Sequence, residues 1–216
     1  MGQKDYWERE ELSTRRLPQH PVVKEYALSK IREITQHVKL NKDTRLLDVG
    51  CGNGFFTYYF DQISDARGVD FSQKMLDLNP VKKTRLMDAA DMKLPDDSFD
   101  VVFCHALLHH VDDQEKVIRE MARVSKKYVI ILEPNRNNPL MFLFSAIVPQ
   151  ERAALKFSLG HLRAKVTRCG LTPIASFSHG MLVPNKTPQA LLPLIRLINF
   201  RQPLGMTNFV IAVKNR

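Results

Sequence analysis

Acid is nearly absent from the last third of this chain. Residues 140–216 hold ten Lys and Arg against a single acidic side chain, Glu151, while residues 1–139 hold 22 of each sign. The formal excess of +9 over 216 residues therefore sits wholly on the C-terminal side. A basic surface of this kind meets an anionic substrate, a nucleic acid or an anionic membrane, or is simply a solvated face. Cysteine is scarce too. Cys51, Cys104 and Cys169 are odd in number and far apart, with no C-x-x-C pair. That argues against a disulfide framework and points to a reducing, cytoplasmic compartment. No run reaches the roughly 18 apolar residues that a membrane span requires. The longest, PLMFLFSAIVP at 139–149, falls short. The first twenty residues carry charges of both signs and no apolar segment, so no secretory leader is expected.

What is present is alternation. HPVVKEYALSKIREITQHV (20–38) spaces Val23, Ala27, Ile31, Ile34 and Val38 at the helical period. TRLLDVG (44–50), ARGVD (66–70), TRLMDAA (84–90), FDVVFCHA (99–106) and KKYVIILEPN (126–135) read as strands. Helices are expected between them over 55–63, after a Ser72 cap, and after Asp112 or Asp113. Strands apolar on both faces and separated by helices mark a parallel sheet covered on both sides. Beyond Pro134 the pattern changes. A helix is expected over 153–170 with Gly170 as its stop, then strands at 171–179 and 207–214. One domain over 1–216 is expected. Within it, 1–38 is an N-terminal helical or lid segment, and 136–160 and 180–205 are substrate-side insertions.

The strand–turn–helix around DVGCGNG carries the first chemical signal. Gly50, Gly52 and Gly54 give a G-x-G-x-G spacing, which permits a tight left-handed turn and a bare backbone against a ligand. Ligands bind there, beyond the carboxyl ends of parallel strands. Asp48, two residues before the glycines, is poor company for a pyrophosphate and good company for a ligand with a positive amino group. The alternative is that it merely bonds the turn locally.

LLDVGCGNG resembles the first motif of class I S-adenosylmethionine-dependent methyltransferases, particularly the small-molecule type of ubiquinone and menaquinone biosynthesis. The resemblance continues in GVDFSQKML (68–76), DAADMKLPDDSFDVVFCHALLHHV (88–111) and the EPN at 133–135. It implies a Rossmann-like three-layer sandwich: a seven-stranded, mostly parallel sheet in the order 3-2-1-4-5-7-6, the last strand antiparallel, with helical lid insertions. It implies S-adenosylmethionine as cofactor and S-adenosylhomocysteine as product. Gly50, Cys51, Gly52 and Gly54 would form the turn under the methionine moiety, with Asp48 orienting the turn or the amino group. Asp70 would accept the ribose hydroxyls, and Asp88 and the Ala89 amide would address adenine, flanked by Phe71 and Met87. The Cys104 backbone would lie near the methionine portion.

Such a cofactor carries its own electrophile, so few catalytic side chains are needed. His105, His109 and His110 are the candidate bases for an acceptor that must lose a proton. His20, His37, His161 and His179 read as surface or core-edge groups. No H-E-x-x-H or comparable cluster supports a metal. FCHA stands where methyltransferases of nucleic-acid exocyclic amines carry an Asn/Asp-Pro-Pro-aromatic motif. Tyr6 and Trp7 are expected either over the cofactor or in a docked terminal helix. The apolar segments 139–149 and 188–198, with Arg136, Arg152, Arg196 and Arg201 nearby, are expected to line an acceptor pocket, rest on an anionic membrane, cover the sheet or form a dimer seam. The preferred expectation is methyl transfer to a small, hydrophobic or lipid-like acceptor with an anionic head. An RNA or protein methyltransferase using the basic third, or a noncatalytic relative, are the alternatives.

Overall fold

The computed structural model describes residues 15–215; the stretch carrying Tyr6 and Trp7 lies outside them. Helix α1 (Pro21–Thr35) starts where the His20 ring accepts the Val22 amide and Pro21 presets the first turn. The chain then alternates: β1 (Arg45–Val49), α2 (Thr57–Phe60), β2 (Asp65–Asp70), α3 (Gln73–Leu78), β3 (Thr84–Leu86), β4 (Phe99–His105), α4 (Gln114–Val124) and β5 (Ser125–Pro134). Ser72 and Asp113 cap α3 and α4 as the sequence predicts. The C-terminal part adds α5 (Pro139–Ile147), α6 (Leu159–Arg168), β6 (Leu171–His179), α7 (Leu192–Arg196) and β7 (Thr207–Lys214).

The seven strands form one sheet, β3-β2-β1-β4-β5-β7-β6. β7 alone runs antiparallel, between β5 and β6. The period of two along each strand builds two cores. Leu46, Val101, Phe103, Ile130, Leu132, Phe209 and Ile211 face α1 and α2. Leu47, Val102, Cys104, Val129, Ile131, Val210 and Ala212 face α4 and α6. The three-layer sandwich follows from that alternation. Pro173 is tolerated in β6 because β6 is an edge strand and its register shifts between Pro173 and Ala175.

Two boundaries differ from expectation. The helix expected over 153–170 begins at Leu159, because Ser158 accepts the His161 amide at 3.2 Å and caps it. Residues Pro149–Lys156 form a 3-10 turn instead. Gly170 ends α6 at φ +82° as predicted. The segment 188–198 yields only a 3-10 turn and the five-residue α7.

Gly68 in β2 was given no role by its sequence. A Cβ there would sit 2.6 Å from the Cys51 Sγ and 2.9 Å from its Cβ. Gly68→Ala is therefore expected to lower stability by about 1–3 kcal/mol. Cys51→Ala in the same chain should recover only part of that, since its Cβ remains close. Denaturant melts of the two single variants and the double variant measure the coupling.

Candidate active site

The carboxyl ends of the parallel strands assemble the site. Gly50, Gly52 and Gly54 all adopt positive φ, between 49° and 89°. Two of them also need the space. A Cβ on Gly54 would meet the Asn79 side chain at 2.5 Å, and one on Gly50 would meet Leu107 at 3.0 Å. Asn79 also donates to the Gly52 carbonyl at 3.1 Å, so α3 and the turn after β4 brace the loop from two sides.

Asp70, at the end of β2, accepts the Gly52 amide at 2.8 Å and the Ser72 amide at 2.9 Å, one on each oxygen. Burial raises its pKa, opposed by those amides. A carboxylate offers about four lone-pair sites, so acceptor capacity remains for two hydroxyls. Asp48 is buried and accepts the Thr57 hydroxyl at 2.6 Å. Burial lifts its pKa to about 7. At neutral pH it is a partly protonated brace between β1 and α2, and Thr57 is the partner that sequence reading missed.

Asp88 is exposed beyond β3, accepting the Ala90 amide at 2.8 Å. Met87 and Ala89 are half-buried and packed on the core, and Phe71 is half-buried beside Asp70. Cys51 and Cys104 are buried, and burial pushes both thiols well above the ordinary range, which leaves them inert as nucleophiles.

The three candidate histidines part company. His105 continues the Val101–Phe103 face, so it points toward α1, where its Nε2 lies 2.5 Å from the Tyr26 hydroxyl. Phe56 packs on its ring at 4.8 Å. Burial, then the nearby Lys30, push its pKa well below the ordinary histidine value. It is a neutral imidazole. Tyr26 and Lys30 gave no sign in the sequence beyond their place in a helical pattern. Lys30 is buried with its Nζ 3.7 Å from the Tyr26 ring centre, and burial lowers its pKa to about 7.

His109 belongs to a different construction. Its Nδ1 lies 2.6 Å from Glu133 and its Nε2 3.2 Å from Glu151. The other Glu133 oxygen accepts the Leu107 and Leu108 amides at 2.9 and 2.7 Å. His109 thus spends both nitrogens on joining the Glu133 of EPN to the first insertion. His110 stacks beside it, ring centres 3.9 Å apart, and its pKa is lowered by burial. Ligand atoms of His109, His110 and Glu151 lie within 4.8 Å of one another, a grouping the sequence spacing concealed because Glu151 comes 41 residues after His110. Among the other histidines, His179 departs from a core-edge place. It is buried, 3.7 Å from Glu33.

A Rossmann-like sheet in this order defines a class, with a glycine turn after its first strand and an acid ending its second. Residues 47–132 match the family model described as a methyltransferase domain. That match covers less than half of the 216-residue chain, and the sheet around it has the fold of solved S-adenosylmethionine-dependent methyltransferases. The chain is 36% identical over 106 residues to phosphatidylethanolamine N-methyltransferase of Cereibacter sphaeroides, covering 44% of this chain and 52% of that one. It is 30% identical over 133 residues to demethylmenaquinone methyltransferase of Lysinibacillus sphaericus, covering 53% and 57%. The matches thus span about half the length of these curated relatives. A solved Thermotoga maritima structure, described as an S-adenosylmethionine-dependent methyltransferase and possible histamine N-methyltransferase, shares the fold. Its TM-score is 0.69 at 20% identity over 90% of this chain and 91% of that one.

The His109 pair carries a pH signature. Burial alone would lower its pKa, but Glu133 and Glu151 raise it to about 9 from the ordinary 6.5. The stabilisation is complete below pH 6.5 and is lost as pH rises through about 9. The loss is expected to be on the order of 3 kcal/mol. Thermal melts across that range should show the gap between the parent chain and His109→Gln closing as pH rises through about 9, because the contributions of other titrating groups such as Lys30 are common to both.

Proposed function

We propose that this protein transfers a methyl group from S-adenosylmethionine to a small, hydrophobic, lipid-like acceptor with an anionic head, of the kind handled by menaquinone-type methyltransferases. One observation carries the acceptor class. Among the described residues, twelve of the fourteen exposed large hydrophobic side chains lie on the segments around the carboxyl end of the sheet, on Leu17, residues 140–147 and residues 191–204. Those segments would wall the approach of an acceptor to β4. Arg136, Arg152, Lys156 and Lys186 stand exposed among them, with charge suited to an anionic head. Relatives named for phosphatidylethanolamine and demethylmenaquinone support the lipid-like part of that class.

The donor set fits the cofactor. Asp70 retains lone pairs for the ribose hydroxyls, Asp88 for the adenine amino group, and the positive-φ glycines leave backbone bare at the methionine end. Phe71 and Met87 would flank the adenine, the Ala89 amide would meet its ring nitrogen, and Cys104 would end the strand beside the methionine portion. S-adenosylmethionine supplies the electrophile, a sulfonium methyl, when bound. The chain supplies orientation and exclusion of water. His105, bonded to Tyr26 at the end of β4, is the group that would take the proton when the acceptor must lose one, although burial, by lowering its pKa, makes it a weak base. Its place at the end of β4 and its aromatic surroundings suit a group that faces the acceptor.

Calorimetry should show S-adenosylmethionine binding, weakened about 10- to 100-fold by Asp70→Ala through the loss of charge-assisted hydrogen bonds. Unchanged affinity would remove the ribose assignment. Labelled-methyl transfer into separated lipid, small-molecule, RNA and protein pools should place the label in the lipid or small-molecule pool. Label confined to RNA or protein would overturn the acceptor class. His105→Gln should lower turnover with little change in cofactor affinity.

A further inference from the structure

Helix α5 is built inside out. Its sequence, PLMFLFSAI, is apolar on every side, yet the one residue it buries is Ser145. Leu140, Phe142, Leu143, Phe144 and Ile147 are exposed, Leu143 by 56% and Ile147 by 67%. A helix that covered the sheet would do the opposite and turn its leucines inward. Residues 191–204 repeat the pattern. Leu192 is buried, but Leu194, Leu197, Ile198, Phe200 and Leu204 are exposed, Leu197 by 73%.

The two segments share one root. Asn138, the cap of α5, donates to the Leu204 carbonyl at 2.6 Å. Asn135 donates to the Pro203 and Gly205 carbonyls at 3.1 and 2.8 Å. Arg16 reaches the Pro184 and Thr187 carbonyls at 2.9 and 2.8 Å, and its own carbonyl accepts from Asn53 of the glycine loop. The apolar residues of both insertions and Leu17 therefore crowd one end of the molecule, around the cofactor loop. A patch of that extent on a monomer marks an interaction surface.

Charge selects the occupant. Glu151, the single acid of residues 140–216, is turned inward against His109. Arg196 and Arg201 are neutralised by Glu25 and Glu33 of α1. Arg136, Arg152, Lys156 and Lys186 remain exposed on the two insertions. A second copy of the chain meeting this patch isologously would set basic fringe against basic fringe. Single-stranded nucleic acid calls for stacked aromatic platforms between the cations, and the exposed side chains here are mainly aliphatic. An apolar surface with a cationic fringe matches the interface of an anionic bilayer.

We propose that this end of the protein docks on an anionic phospholipid surface, with α5 and residues 191–204 entering the headgroup–acyl boundary and the four exposed cations resting on headgroups. The inference deepens the lipid-like acceptor reading and rests on it: docking would open the mouth of the site toward the acyl layer, from which such an acceptor arrives. Among the described residues no helix is long and apolar enough to cross a membrane, so the contact is peripheral.

Vesicle co-sedimentation of the full chain tests it, using phosphatidylcholine vesicles with and without phosphatidylglycerol. Binding is expected only to the anionic vesicles and should weaken as salt rises. Leu143→Glu with Ile147→Glu should reduce partitioning about tenfold or more. Arg152→Ser with Lys156→Ser, which leaves the apolar faces intact, should reduce it on the order of tenfold. Calorimetry with S-adenosylmethionine on the same samples reports whether each variant is folded and tests the cofactor site separately. Failure to bind anionic vesicles in a chain that binds S-adenosylmethionine would overturn the docking inference alone. Failure to bind S-adenosylmethionine in a chain that still binds vesicles would strike the functional reading. Concentration-dependent dimers abolished by Leu143→Glu, with no vesicle binding, would assign the face to a second copy and overturn the proposal.

Discussion

A fully buried carboxylate holds this site in register. Glu133 ends β5 inside the molecule, where an unpaired charge is costly, and losing one partner of a buried pair typically costs about 3–5 kcal/mol. Its partners come from two places: the Leu107 and Leu108 amides just after β4, and His109. His109 passes the interaction on to Glu151 in the first insertion. One charge thus fixes the path of the chain after β4, presses Leu107 against Gly50, and tethers the segment that follows α5. Ala106, with φ +50°, is the residue that makes the turn possible, and a positive φ in alanine is tolerated because those bonds determine it.

The cofactor side works by a gentler version of the same rule. Asp70 and Asp48 are both buried enough for their pKa values to rise, and both are offset by donors: backbone amides for Asp70, the Thr57 hydroxyl for Asp48. Asp70 binds the glycine loop from the same carboxylate that would receive a ribose. Loop geometry and ligand binding are therefore coupled through one group. On the opposite face of the sheet from Glu133, His105, Tyr26, Phe56 and Lys30 make a compact polar–aromatic cluster in which burial keeps the imidazole neutral.

The periphery obeys a different economy. The core strands satisfy their apolar side chains on both faces, while the insertions leave theirs in solvent. Exposing a Leu or Ile that could be buried forgoes about 1.5–3 kcal/mol. A dozen exposed large hydrophobic residues lie at one end of the molecule, beside the glycine loop, where the proposed bilayer contact would cover them. Part of the basic excess of the last third falls on the same segments, at Arg152, Lys156, Lys186, Arg196 and Arg201.

Much of this was legible in one dimension. Short strands apolar on both faces, separated by helical runs, determined the covered sheet, because a strand with no polar face must be buried on both sides. The capping serines and aspartates, the stop at Gly170 and the positive-φ glycines were equally local. The order of the strands and the positions of Asp48, Asp70 and Asp88 came from motifs in register. Tertiary structure alone decided the partnerships across distance. Thr57 with Asp48, Tyr26 with His105, Cys51 against Gly68, and the Glu133–His109–Glu151 chain join residues up to dozens of positions apart, whose meeting depends on packing and not on spacing. It also decided which way α5 faces: a helix apolar on every side carries no periodicity to say which face is buried, and only its roots in Asn135 and Asn138 turn Ser145 inward.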